Sequence, residues 1–133
     1  MPKILVVEDD GMIRELAVEL LSELGHTVEQ AGTAAEAIDK VKAGGLNAVM
    51  IDVGLPDQPG DVVVKSLRQN YPDLPVLIAS GGSEAGLRQQ FAGDGRIAVV
   101  SKPYMLDTLD RGLTALGVMS SKAAPDQNKK APA

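Results

Sequence analysis

Residues 3–25 read KILVVEDDGMIRELAVELLSELG, and the order of residue types within them decides the fold. Lys3 to Glu8 is an apolar, β-branched run of strand character. Met12, Ile13, Leu16, Leu20, Leu21 and Leu24 then recur at helical spacing until Gly25. A strand therefore passes through a short acidic loop into a helix, and the rest of the chain repeats that unit. Thr27–Ala31 reads as a second strand. Thr33 is placed to cap a helix carrying Ala34, Ala37, Ile38 and Val41, with Glu36 three residues on for a capping box and Gly44-Gly45 as its end. Ala48-Val49-Met50-Ile51 reads as a fully buried strand closed by Asp52, and a loop with Pro56, Pro59 and Gly60 follows. A third helix with Val62, Val63 and Leu67 runs to about Asn70. Pro75–Ala79 is the fourth strand, broken at Ser80-Gly81-Gly82, and Ser83 with Glu84 opens a fourth helix through Phe91. Ile97–Val100 is the fifth strand, ended by Lys102-Pro103, and Leu106, Leu109, Leu113 and Leu116 stripe a last helix that fades at Gly117.

Five strand–helix units in strict alternation predict an α/β fold with a doubly wound parallel sheet and helices on both faces. The 133 residues, 44% of them hydrophobic, suit one domain with a substantial core. Without cysteine, a thiolate nucleophile, a Cys-based zinc site and an iron–sulfur cluster are excluded, and a reducing, cytoplasmic setting is the expectation. The longest apolar runs are as short as Ile4–Val7, so neither a membrane span nor a secretory signal is expected. Net charge is −5. Lys122, Lys129 and Lys130 against Asp126 give residues 120–133 a local +2, so residues 1–119 carry −7. An acidic body with one Phe, two Tyr and no Trp argues against nucleic acid as a partner. The segment 120–133, SSKAAPDQNKKAPA, has no large apolar residue to offset the entropy of ordering it, and is expected to be a disordered tail after a domain spanning 1–119.

Sheets of this kind place their sites at the carboxyl ends of the strands. Glu8, Asp9 and Asp10 follow the first strand, Asp52 the third, Ser80 the fourth and Lys102 the fifth, so all share one edge. Several carboxylates gathered there repel one another, and a hard dication resolves the repulsion. Oxygen donors without His or Cys suit Mg²⁺, and the lysine complements a bound phosphoryl group.

Ile4-Leu5-Val6-Val7-Glu8-Asp9-Asp10, then Asp52-Val53-Gly54-Leu55-Pro56-Asp57-Gln58-Pro59-Gly60, then Ser80-Gly81, then Lys102-Pro103-Tyr104 together resemble the receiver domain of bacterial two-component response regulators. The resemblance runs from residue 3 to about 117, and four separated motifs agree in identity, order and spacing. It implies a flavodoxin-like or CheY-like five-stranded sheet of order 2-1-3-4-5. It also implies that Asp52 accepts a phosphoryl group from a phosphohistidine on a histidine kinase or histidine phosphotransfer protein. Asp9, Asp52 and the Gly54 backbone carbonyl would hold Mg²⁺, with Glu8 acting through a water. Lys102 would bind a phosphoryl oxygen, Ser80 would be drawn toward the phosphoryl group, and Gly81 would leave room over it. The implied readout is the face of the fourth helix, fifth strand and fifth helix, roughly residues 83–116, toward an unknown output protein, as a monomer or a phosphorylation-dependent dimer. No separate enzymatic turnover is implied beyond phosphorylation and dephosphorylation of Asp52 itself.

Three residues before Lys102 the family usually carries an aromatic switch residue, and here stands Val99, so an aromatic flip is not the readout. Gly81, Gly82, Gly86, Gly93 and Gly95 in and around the fourth helix instead point to ordering or shifting of that segment on activation. Small Gly54 and Gly82 leave the acyl-phosphate lifetime open. Asp10 reads as an N-cap, and the leucine stripe 106, 109, 113, 116 as core. His26, in a helix-to-strand turn, reads as a surface residue, and Tyr104 equally as a partner-facing anchor or as packing. Gly81 and Gly86 have phosphate-loop spacing, but Leu87 stands where that motif needs lysine.

The expectation is a stand-alone signalling receiver, with a phosphate sink or a domain excised from a hybrid kinase or larger regulator as alternatives. An Asp-nucleophile Mg²⁺ phosphatase would place Asp-x-Asp after the first strand, which Glu8-Asp9-Asp10 lacks. A flavodoxin-like binding module is disfavoured by the scarce aromatics and the acidic crevice.

Overall fold

The computed structural model describes residues 2–82, 84–102 and 104–118. Ser83 and Pro103, assigned above to a helix start and a strand end, and the expected tail from 120 onward lie outside them. Ten elements alternate strictly: β1 (Lys3–Val7), α1 (Gly11–Glu23), β2 (Thr27–Ala31), α2 (Ala34–Ala43), β3 (Ala48–Asp52), α3 (Gly60–Asn70), β4 (Val76–Ser80), α4 (Glu84–Gln90), β5 (Ile97–Ser101) and α5 (Leu106–Ala115). The strands form one parallel sheet in the order β2-β1-β3-β4-β5.

β3 and β4 are buried at every position, and β1 at every position after Lys3, because the sheet is covered on both faces; hence their unbroken apolar sequence. Alternate residues enter two separate core layers. Ile4, Val6, Met50, Leu77 and Ala79 pack with Ala17 and Leu21 of α1 and with Leu109 and Leu113 of α5. Leu5, Val7, Val49, Ile51 and Ile78 pack with Ala34, Ala37 and Val41 of α2 and with Val63, Val64 and Leu67 of α3. Among the described residues no helix is long and apolar enough to cross a membrane.

Helix ends follow local chemistry. Asp10 caps α1, its Oδ1 accepting from the Met12 and Ile13 amides at 2.9 and 3.2 Å. Thr33 caps α2 by accepting from the Glu36 amide at 3.2 Å, but Glu36 reaches back to the Gly32 amide rather than to Thr33, so the capping box is shifted by one residue. α1 ends at Gly25, whose φ of 91° lets the Gly25 amide bond Ser22 O and the His26 amide bond Leu21 O. This paired 5→2 and 6→1 closure turns the residue after the glycine back onto the helix.

His26 is for that reason buried, 3% exposed, and not on the surface. α5 closes the same way through Gly117, and buries Val118 against the sheet. The apolar stripes are also covered less evenly than periodicity predicts. Met12 is 82% exposed and Leu16 half-exposed on α1. On α3, Val62 faces solvent while Val64 enters the core, and Leu106 stays partly exposed where its fellows Leu109, Leu113 and Leu116 are buried.

Candidate functional site

The carboxyl edge of the sheet brings the predicted acids together. β1 delivers Glu8, buried to 1% exposure, and exposed Asp9, while β3 delivers Asp52, 6% exposed. One carboxylate oxygen from each of Glu8, Asp9 and Asp52 lies within 4.8 Å of the others. Lys102, just past β5, answers two of them: its Nζ stands 2.8 Å from Asp52 Oδ1 and 2.9 Å from Glu8 Oε1.

The Glu8 carboxylate is held at both oxygens. Oε1 also receives the Tyr104 hydroxyl at 3.4 Å, and Oε2 faces the Asp10 amide at 3.3 Å. Arg14 of α1 fixes the backbone below by donating to Glu8 O at 2.8 Å. Burial pushes the Glu8 carboxyl above its ordinary pKa, opposed by Lys102 and the Asp10 amide, with the Asp52 charge adding to the rise. Burial works against the Lys102 charge, but the bonds to Asp52 and Glu8 outweigh it and its pKa rises. Burial likewise lifts the Tyr104 hydroxyl, with the charges of Glu8 and Asp52 adding, so this phenol stays protonated. Tyr104 is core packing with one polar contact, which decides between its two sequence readings.

Ser80 ends β4 with its Oγ turned to its own loop, accepting from the Gly82 amide at 3.1 Å, while its carbonyl takes the Lys102 amide at 2.9 Å. Gly81 borders open space, since a Cβ there would meet nothing within 4 Å. Gly54 is exposed in the loop after β3, where a Cβ would sit 3.4 Å from Asp52 Oδ2. Val99 is buried in β5 within the second core layer, and its carbonyl accepts from Arg88 of α4 at 3.0 Å.

Two further residues stand on the stretch that follows Asp52. A Cβ on Gly60 would collide with the Asp52 carbonyl oxygen and lie 2.7 Å from Val53 Cα, so only glycine lets α3 begin against the end of β3. Asp57 reaches away from the acids to the first turn of α2. Gly60 carries a faint local signal, a glycine opening a helix after Pro59. Asp57 carries none, since its partners lie 22 and 23 residues away.

Three hard carboxylates converging within 4.8 Å, with a single ammonium between two of them, form a donor set that fits Mg²⁺.

The family described as "Response regulator receiver domain" matches residues 4–114, and the chain belongs to that family. Among curated relatives, the response regulator MprA of Mycobacterium sp. (strain KMS) is 31% identical over 131 residues, covering 98% of this chain and 56% of MprA. The sensor kinase CckA of Brucella abortus (strain 2308) is 29% identical over 108 residues, 80% of this chain and 11% of the kinase. The chain thus spans little over half of one relative and a small part of the other. Among solved structures, the chemotaxis protein CheY4 of Vibrio cholerae aligns with a TM-score of 0.79 at 27% identity, covering 87% of this chain and 98% of that one. The response regulator TrrA of Thermotoga maritima, in complex with Mg(2+)-BeF, aligns with a TM-score of 0.75 at 28% identity, covering 87% and 99%.

Proposed function

We propose that this chain is a phosphorylation-dependent switch in which Asp52 accepts a phosphoryl group from a phosphohistidine donor. The observation that carries the reading is the Lys102 ammonium bridging Asp52 and Glu8 inside the three-acid cluster. A carboxylate oxygen of Asp52 attacks phosphorus, the P–N bond breaks, and the imidazole leaves with the bonding pair, so that Asp52 carries an acyl phosphate. The charge on Asp52 falls away from Lys102 as this happens, and the ammonium turns to an oxygen of the new phosphoryl group. Mg²⁺, when held by Asp9, Asp52 and the Gly54 carbonyl with Glu8 acting through a water, supplies the positive charge that lets a phosphoryl dianion enter an acidic pocket. Hydrolysis reverses the state: water attacks phosphorus and the Asp52 carboxylate leaves.

A protein donor suits the surroundings. Met12 and Leu16 on α1 and Met105 ahead of α5 expose apolar side chains, and Ile13, Leu16, Gly81, Lys102 and Tyr104 line a hollow of about 320 Å³ at the mouth of the site. Output belongs to the opposite flank, where a groove of about 650 Å³ runs along β5 between α4 and α5, past Arg88, Phe91, Val99 and Arg111.

Incubation with a small acyl phosphate, with and without Mg²⁺, followed by intact-mass measurement, tests the assignment. The expected result is one phosphoryl group, dependent on Mg²⁺ and absent from Asp52→Asn. An adduct that survives in Asp52→Asn overturns it.

A further inference from the structure

The loop between β3 and α3 carries Gly54, whose carbonyl is assigned above to the metal. Its near end is closed by the Gly60 amide donating to Val53 O at 2.8 Å and by the Val53 amide donating to Ala79 O at 3.2 Å. Leu55 sinks into the core layer under α2 and α3. The remaining side of the loop is held by Asp57, which crosses to a different element: Oδ1 accepts the Ala34 amide at 2.9 Å and Oδ2 the Ala35 amide at 3.1 Å. These are two of the first three amides of α2, which have no partner within the helix, and Thr33 takes the third, that of Glu36. The bonds from Ala34 and Ala35 hold the Asp57 carboxyl below its ordinary pKa, so it remains an acceptor at neutral pH.

We propose that Asp57 is a positioning residue for the metal pocket: its fork onto Ala34 and Ala35 ties the β3–α3 loop to α2 and so sets where the Gly54 carbonyl stands. This rests on the proposed metal site. Gly54 has no side chain of its own to anchor it and lies between the buried Leu55 and the fixed end of β3. With the fork removed, the loop beyond the buried Leu55 is tied only at its α3 end, where Gly60 bonds Val53 O and Pro59 O takes the Val62 and Val63 amides, and its hydrogen-bonded link to α2 is lost. Outer partners that orient metal-binding groups commonly matter about tenfold or more for metal affinity.

The test compares Mg²⁺ dissociation constants, measured by calorimetry on the unphosphorylated chain, for wild type, Asp57→Ala, Asp57→Asn and Thr33→Ala. Thr33→Ala removes a cap from the same helix end and lowers melting temperature by the same mechanism, yet leaves the loop tied. The expected result is about tenfold weaker Mg²⁺ binding in Asp57→Ala, an intermediate value in Asp57→Asn, which keeps one acceptor, and an unchanged value in Thr33→Ala. A second readout is linkage: Mg²⁺ slows amide exchange at Ala34 and Ala35 in wild type, because coupling between two sites is reciprocal. Equal affinities in Asp57→Ala and Thr33→Ala overturn the inference while leaving the metal site standing. Absence of Mg²⁺ binding in wild type overturns the metal site and the inference with it.

Discussion

Tyr104 and Glu8 meet at the buried end of the site, where the phenol oxygen stands 3.4 Å from Glu8 Oε1, the oxygen that also takes the Lys102 ammonium at 2.9 Å. A phenolate formed there would face two carboxylates, Glu8 and Asp52, with little water to screen it. Burial first, and those charges second, push the Tyr104 hydroxyl far above its ordinary value. In a Tyr71→Phe background Tyr104 is the sole tyrosine. The ultraviolet phenolate band is then expected to be absent through the range near pH 10 where free tyrosine ionises, and to emerge only when the chain unfolds. A reversible phenolate titration near pH 10 in the folded chain would show that the hydroxyl does not face the acids.

His26 gives the fold a dependence on acid. Neither ring nitrogen has a hydrogen-bond partner among the described residues, and the same holds for Asp110 Oδ1 on α5. Burial lowers the His26 pKa below its unfolded value of 6.5, and the Asp110 charge opposes the shift only in part. Between the folded and unfolded values the unfolded chain binds the extra proton. Stability is therefore full above pH 6.5 and falls as pH drops through the window, levelling off once the folded ring also titrates. Urea midpoints taken from about pH 7 to about pH 5, above the range where carboxylates dominate, should decline in wild type and stay flatter in His26→Leu. Parallel slopes in the two proteins would sink the assignment.

The same residue shows where sequence reading stopped. β1, β3 and β4 are legible because strands covered on both faces carry unbroken apolar runs, and the acids and the lysine are legible because a parallel sheet sends its strand ends to one edge. Burial of His26 comes from the left-handed turn at Gly25, which folds the next residue under the helix. The glycine was visible, but its consequence for the following side chain is a matter of three-dimensional closure. Met12 and Leu16 show the opposite limit of periodicity. Helical spacing puts them on a face with Ile13 and Leu20, but only the packing of α5 and the sheet determines how far along α1 that face is covered. The Asp57 fork was out of reach altogether, since nothing near residue 57 marks the first turn of α2 as its partner.

Gly60 and Gly81 make a matched pair for the loops that frame Asp52. A Cβ at Gly60 meets backbone atoms of Asp52 and Val53, which cannot rotate away, whereas a Cβ at Gly81 meets nothing. Gly60→Ala is expected to cost about 1–3 kcal/mol by overpacking, and Gly81→Ala to fall within about 0.5 kcal/mol of wild type. Denaturant midpoints with unchanged m-values check both. Equal midpoints for the two variants would mean that α3 does not start against the end of β3.

With Asp52 as the proposed phosphoryl acceptor, Ser80 is the residue through which the chemistry would reach α4. Its hydroxyl now accepts from the Gly82 amide, so any turn of that hydroxyl toward a phosphoryl group on Asp52 must release the Gly82 bond at the entrance to α4. That helix has seven residues, Gly86 among them. It is held to the second core layer through the partly buried Leu87, with Phe91 just beyond its end, and to β5 through the Arg88 bond to Val99 O. Val99 offers no ring to carry the signal, so the short helix with its internal glycine is the element expected to carry it. Phosphorylation is expected to change amide exchange across residues 84–91 by about tenfold, with much smaller changes in β1 and β3. In Ser80→Ala the response of that segment should shrink relative to the phosphorylated fraction measured by intact mass. Superimposable exchange profiles for the phosphorylated and unphosphorylated chains would rule out α4 as the moving part and leave the groove along β5 to act as a rigid surface.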